Sequence, residues 1–191
     1  SDPLRASLYA FNLIQKKRKK VEGAPKPAVA RKVTKVGVVG AGLMASQLAL
    51  LLLRNLKCPV VMTDIDQERA EKGVAWVKNE LAKLVEKKRM SPESAGRLAS
   101  LVSGSADQSV FAGCDFIIEA IFEELSLKQE LFKKLESIVS AECVLATNTS
   151  SLSVERMTEG LKNPERVVGF HFFNPVAVMP LLEVARTSTT D

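Results

Sequence analysis

The sequence is poor in several residue types, and each scarcity excludes something. Three cysteines, Cys58, Cys114 and Cys143, are an odd set with no Cys-x-x-Cys spacing, which argues against a zinc site or a disulfide framework. Two of them sit beside apolar strand patterns and read as buried free thiols. That suits a reducing compartment, and the expected location is cytoplasmic. No apolar run approaches the length of a membrane span; Leu48 to Leu53 is much too short. No secretory signal pattern is present. There is one histidine in 191 residues, so an imidazole role near neutral pH has a single side chain to fall on.

Net positive charge is lacking outside the first segment. Residues 1–35 hold ten Lys and Arg against two acids, a net of +8, whereas residues 36–191 hold seventeen against twenty, a net of −3. The run Lys16-Lys17-Arg18-Lys19-Lys20 carries no aromatic interleaving or recognition motif, so nucleic-acid binding is not expected. It reads as the cationic end of a helix over residues 3–19, followed by a Gly/Pro-containing linker at 22–28. The first residues, SDPLRASLYAFNL, read like the interior of a longer polypeptide.

What is present starts at Lys35. The apolar run Val36 to Val39 ends in Gly40-Ala41-Gly42, and a helical pattern follows at once. Strand, tight turn and helix place free N–H groups and a positive dipole end against a pyrophosphate, with Gly40 making the turn and Gly42 allowing close approach. Leu43 opens the helix, and Ala45 fills the third small position. A second strand pattern, Pro59 to Thr63, ends in Asp64, where a dinucleotide's ribose hydroxyls are bound. Strand patterns then alternate with helical ones: helices near 67–89, from Ser91-Pro92, and over 126–140 behind a Ser126/Gln129 capping pair; strands near 101–103, 115–120, 143–146, 166–172 and 181–185. The expected fold is α/β, a Rossmann-type, mostly parallel sheet with helices on both faces.

Ligands of such sheets bind at the carboxyl ends of the strands. Those ends carry Gly40 and Gly42, Asp64, Ile121-Phe122-Glu123, Asn148-Thr149-Ser150, and His171 with Asn174. His171 has the side chain suited to take a proton when an alcohol is oxidised. Glu183 lies in the apolar stretch Leu181 to Val184, where an unpaired carboxylate is costly; pairing with His171 would orient the ring and stabilise its charged form. The alternative is a satisfied core histidine and an edge-strand glutamate facing water, and spacing does not choose between them.

The motifs GAGLMA, Glu119 to Lys128, TNTSSL and GFHFFNPV…MPLLEV resemble those of the L-3-hydroxyacyl-CoA dehydrogenases of fatty-acid β-oxidation, from about Val36 to Val184. The resemblance implies NAD as cofactor, a (3S)-3-hydroxyacyl-CoA substrate, His171 as base with Glu183 as partner, and Ser150 at the substrate hydroxyl or cofactor. It also implies Met44, Asp64, Glu123 and Lys128 lining the NAD site and Asn174 near the nicotinamide. Family members commonly have Gly where this chain has Ala45. The segment SLYAFNLIQKKRKK resembles the linker helix that follows a hydratase domain in multifunctional members, giving residues 1–34 as linker and 35–191 as the NAD-binding domain. In the family a C-terminal helical domain follows, completes the acyl pocket and makes most of the dimer contact. The chain alone is therefore expected to bind NAD and turn over poorly. Rival readings are another NAD-dependent 3-hydroxyacid dehydrogenase and a non-catalytic nucleotide-binding module.

Overall fold

Alternation of apolar residues decides which way each strand faces. In the computed structural model, which describes residues 30–179 and 181–190, strand β1 (Val36–Val39) sends Val36 and Val38 to one face of the sheet and Val39 to the other. A Cβ at Gly37 would lie 2.6 Å from the Phe111 ring, so glycine there lets Phe111 pack against the strand. The segments expected as linker helix, basic run and linker lie outside the described residues.

β1 turns into helix α1 (Leu43–Leu56), and β2 (Val60–Thr63) follows. A helical hairpin comes next, α2 (Gln67–Glu86) and α3 (Pro92–Ser100), then β3 (Val102–Ser105). The chain continues through β4 (Phe116–Glu119), α4 (Leu125–Ile138), β5 (Val144–Thr147), the short α5 (Val154–Met157), β6 (Val167–Phe172) and β7 (Leu182–Arg186). The strand order is β3-β2-β1-β4-β5-β6-β7, parallel throughout except for the antiparallel β6–β7 pair. This is the doubly wound Rossmann arrangement, and the order reverses between β1 and β4, where ligands of such sheets bind. One apolar layer packs α1, α2 and α3 through Leu48, Leu53, Val77, Leu81 and Leu98. The other packs α4 through Leu131, Phe132 and Leu135. Cys58, Cys114 and Cys143 are free and buried, as their positions beside strands predict.

Several local expectations hold and others do not. Ser91 caps α3, its side chain accepting from the Ser94 N–H, with Pro92 in the first turn. α2 stops at Glu86 rather than Arg89, because Lys88 adopts a left-handed backbone at φ 55°. The Ser126/Gln129 capping pair does not form: α4 starts behind Glu124, Ser126 Oγ donates to Glu124 at 2.6 Å, and Gln129 Nε2 donates to the Arg156 carbonyl at 2.7 Å. β7 is an edge strand with four of five residues exposed, so its apolar letters do not mark a buried strand.

Candidate functional site

At the switch point a cleft of about 700 Å³ is lined by Gly40, Gly42, Leu43, Met44, Asp64, Ile121 and Phe122, all expected from sequence. Gly40 has φ 105°, and a Cβ there would meet the Ala120 carbonyl at 3.0 Å; the turn admits only glycine without strain. At Gly42 an added Cβ would meet nothing within 4 Å, so its exposed surface faces open space over the helix end. α1 has no side-chain cap and no acid in its first turn. Its N-terminal donors and dipole are left for an anion. Ala45 is fully buried, and its methyl makes only ordinary contact with the space above Gly40.

Asp64 does more than end β2. Oδ2 accepts from the Ala41 N–H at 2.7 Å and Oδ1 from the Ile65 N–H at 2.8 Å, so the acid ties the glycine turn to the second strand. Ile65 and Phe122 are 79% and 84% exposed on the cleft walls, apolar surface that a flat ring would cover. Two buried side-chain oxygens without a partner, Thr63 Oγ1 and Gln108 Oε1, belong to residues lining the same cleft. An adenine nucleotide offers both donors and acceptors for such atoms. Glycine turn, open helix end, apolar walls and orphaned oxygens together fit a dinucleotide. Gln108 gave no signal in the sequence; it sits in a one-turn segment whose place beside the cleft depends on the whole sheet.

Glu123 and Lys128 are placed differently from a plain cofactor lining. Lys128 is 1% exposed and Glu119 is fully buried, with their charged groups 2.7 Å apart. Lys128 Nζ also lies 3.1 Å from Glu123 Oε2. Glu119 accepts further from the Thr147 hydroxyl and, at 3.1 Å, from the Ile121 N–H, so its buried charge is satisfied by three donors. Glu123 Oε1 accepts from the Thr149 hydroxyl, the Ser150 N–H at 3.0 Å and the Ser151 N–H at 3.3 Å. Burial alone would raise the Glu123 pKa; the Thr149 hydroxyl, Lys128 and the Ser150 N–H more than offset it and hold it at about 2. The loop after β4 is thereby stapled to the loop after β5. Lys128, 1% exposed, braces Glu119 and Glu123 and does not itself line the cleft. The buried Glu119 was not singled out from sequence.

Beyond the staple stands the third group. His171 and Glu183 are direct cross-strand partners in the β6–β7 ladder, and His171 Nδ1 lies 2.9 Å from Glu183 Oε2. The glutamate side chain is 58% exposed and the imidazole 20%. Burial cost is therefore not what brings them together; register is. With Nδ1 engaged, Nε2 is the free ring nitrogen. Asn148 Oδ1 accepts from the Phe172 N–H at 2.9 Å, tying the β5 loop to the histidine strand. Asn174 Oδ1 accepts from Gln47 Nε2 at 3.1 Å, and Gln47 Oε1 takes the Val176 N–H at 2.9 Å. Gln47, on α1, is another residue that sequence reasoning missed, since its partners are more than a hundred positions away. Ser150 is exposed, and its hydroxyl has no hydrogen bond among the described residues.

Residues 35–191 match the family described as "3-hydroxyacyl-CoA dehydrogenase, NAD binding domain". The chain belongs to that family. NAD is its cofactor, in agreement with the cleft at the switch point. This 3-hydroxyacyl-CoA dehydrogenase domain is 40% identical over 162 residues to a peroxisomal fatty acid beta-oxidation multifunctional protein of Arabidopsis thaliana, covering 85% of this chain and 22% of that protein. A glyoxysomal fatty acid beta-oxidation multifunctional protein of Cucumis sativus is 36% identical over 192 residues, covering all of this chain and 26% of the relative. The chain thus spans about a quarter of the length of these curated relatives. Among solved structures, 3-hydroxybutyryl-CoA dehydrogenase from Escherichia coli K12 superposes with TM-score 0.81 at 32% identity, over 84% of this chain and 34% of that one. The dehydrogenase part of multifunctional enzyme 1 from C. elegans superposes with TM-score 0.72 at 28% identity, over 84% of this chain and 36% of that one.

The names of the relatives correct the expectation of a cytoplasmic protein: they are peroxisomal or glyoxysomal. Buried thiols report that no disulfide framework is needed; they carry no address.

Proposed function

We propose that the whole protein oxidises a 3-hydroxyacyl-CoA to the 3-oxoacyl-CoA within peroxisomal fatty-acid β-oxidation, and that residues 35–191 are its cofactor-binding and proton-transfer half. The observation that carries this reading is the His171–Glu183 pair, 2.9 Å apart, on the strands beyond an NAD cleft. NAD, when bound, supplies the hydride acceptor. The residues of the chain do the rest. His171 Nε2 takes the proton of the substrate hydroxyl, while Glu183 holds Nδ1 and stabilises the charged ring. Ser150 holds the substrate oxygen, a role supported by its hydroxyl, which makes no hydrogen bond among the described residues, and by the hydrogen bond of its N–H to Glu123. Asn174, braced by Gln47, stands on the nicotinamide side.

The relatives' length supports further domains: residues 1–34 would link to an upstream hydratase, and a helical domain beyond residue 191 would close the acyl pocket and support an oligomer. The test uses the full-length protein with acetoacetyl-CoA and NADH. His171→Ala should lower kcat by roughly 10²- to 10⁴-fold, the usual worth of a general acid–base, and leave NADH affinity near its parent value. A near-normal kcat would move the proton-transfer role elsewhere. Equal activity on free acetoacetate would favour a 3-hydroxyacid dehydrogenase that does not need coenzyme A.

A further inference from the structure

Gln47 stands one helical turn beyond Leu43 on α1 and on the same side of the helix. Leu43 lines the nucleotide cleft, so Gln47 lies just behind the helix end that faces the cofactor. Its amide spans two groups of the loop after β6. Oε1 accepts from the Val176 N–H at 2.9 Å, and Nε2 donates to Asn174 Oδ1 at 3.1 Å. Where the loop leaves β6, the Phe172 N–H donates to Asn148 Oδ1 at 2.9 Å. Phe172 and Val176 are both buried in the core. Asn174 therefore sits midway between two pinned backbone amides, three residues beyond His171.

The polarity of this run of hydrogen bonds is fixed from one end. A backbone N–H can only donate, so the Val176 N–H requires the oxygen of the Gln47 amide. The Gln47 NH2 group is then left facing Asn174 and requires an acceptor there, which is the Asn174 oxygen. The Asn174 NH2 group is thereby turned the other way. It makes no hydrogen bond among the described residues, and Asn174 is exposed. One backbone amide thus decides, two side chains away, that the loop after His171 presents a donor rather than an acceptor. An asparagine without this brace would be free to present either end of its amide.

We propose, on the dehydrogenase reading above, that Gln47 is a positioning residue that fixes Asn174 as a hydrogen-bond donor to an acceptor oxygen of the reacting pair. The nicotinamide carboxamide and the acyl substrate each carry a carbonyl oxygen. An NH2 group satisfies such an oxygen, whereas an amide oxygen turned to the same place would set lone pair against lone pair and leave both unsatisfied.

Gln47→Glu in the full-length protein is the discriminating change. A carboxylate keeps the bond to the Val176 N–H, but its second oxygen also accepts, so the Asn174 amide must turn over and present its oxygen to the ligand. The brace survives and the polarity inverts. With acetoacetyl-CoA and NADH, kcat/KM should fall on the order of tenfold or more, the worth of one good hydrogen bond. Gln47→Ala, which leaves the Asn174 amide free to turn either way, should lose less. In an Asn174→Ala background, Gln47→Glu should lower kcat/KM by less than about twofold further, which separates polarity from a long-range effect of the added charge. Independently of turnover, protection of the Val176 amide against hydrogen exchange should persist in Gln47→Glu and fall in Gln47→Ala. A weaker NADH complex in Gln47→Glu assigns the acceptor to the carboxamide, and a loss confined to turnover assigns it to the acyl substrate. A fully active Gln47→Glu, a greater loss in Gln47→Ala, an equal loss in the Asn174→Ala background, or unchanged Val176 protection in Gln47→Ala would each overturn the proposal. His171→Ala in the same assay keeps two failures apart: if it is as active as the parent, the dehydrogenase reading fails, and if it is impaired while Gln47→Glu is not, the role of Gln47 alone fails.

Discussion

Removing the ammonium of Lys128 is the sharpest perturbation the structure offers. The side chain is 1% exposed and pairs at 2.7 Å with a Glu119 carboxylate that is fully buried. In Lys128→Met the hydrocarbon volume is nearly kept, so the packing of α4 changes little. Glu119 keeps the Thr147 hydroxyl and the Ile121 N–H but loses its only counter-charge among the described residues. Breaking one half of a buried pair costs about 3–5 kcal/mol. For a domain of this size each kcal/mol moves Tm by about 2–4 °C, so a fall of roughly 6–20 °C is expected. Urea unfolding should show a lower midpoint at unchanged slope, the mark of altered stability rather than altered compactness. Glu119→Gln added to Lys128→Met removes the stranded charge while its amide oxygen can still accept from the Ile121 N–H and its NH2 group can donate to the Thr147 hydroxyl oxygen, and should recover most of the loss. A Lys128→Met variant within about 0.5 kcal/mol of the parent, as for a surface residue, would refute the reasoning.

Other outcomes follow from the same site. The Glu123 carboxyl, ordinarily at 4.5, is held at about 2; a depressed acid stabilises the fold above its ordinary value and ceases to do so as pH falls toward the folded one. Protection of the Ser150 and Ser151 amides against hydrogen exchange, relative to their intrinsic rates at each pH, should therefore fall between about pH 4.5 and 2, and unchanged protection over that range would remove the staple. Burial pushes the Cys114 thiol up to about 11 and the Cys143 thiol up to about 12, so both should resist a thiol reagent at pH 8 in the folded chain and react in urea. The Asp64 carboxylate at the end of β2 should favour NADH over NADPH, because it repels a 2′-phosphate; equal binding of the two in a fluorescence titration would show the acid is not at the ribose. In the full-length protein, Glu183→Gln should lower kcat more than it alters the KM for acetoacetyl-CoA, and rates equal to the parent would leave His171 without need of a partner.

How far the sequence could be read depended on distance along the chain. The turn at Gly40, the acid at Asp64 and the cap at Ser91 are local events, each decided within a few residues, and all three stand where the pattern puts them. The His171–Glu183 contact was anticipated for a partly mistaken reason. The apolar letters around Glu183 suggested burial, whereas β7 lies on the sheet's edge and the pair meets through strand register. Nothing local in the sequence shows that Glu119 and Lys128 are buried against each other, because that depends on α4 packing on β4 and β5. Gln47, joined to Asn174 and Val176, gave no local sign. The capping pair at Ser126 failed for a related reason: Gln129 found a partner near α5 that outcompeted the local one.

The antiparallel ladder that sets His171 opposite Glu183 also determines which changes of chain length the pair can survive. Side chains alternate faces along a strand, so a one-residue slip of β7 against β6 would turn Glu183 to the opposite side of the sheet and set an alanine-flanked valine or leucine beside the imidazole. A residue gained or lost in the connection after Val176, beyond the contacts that Asn174 and Val176 make with Gln47, does no such harm, provided the two strands keep their pairing. That last part of the connection is thus free to lengthen or shorten while the ladder is not, and related chains should tolerate insertions there far better than a single-residue deletion within either strand.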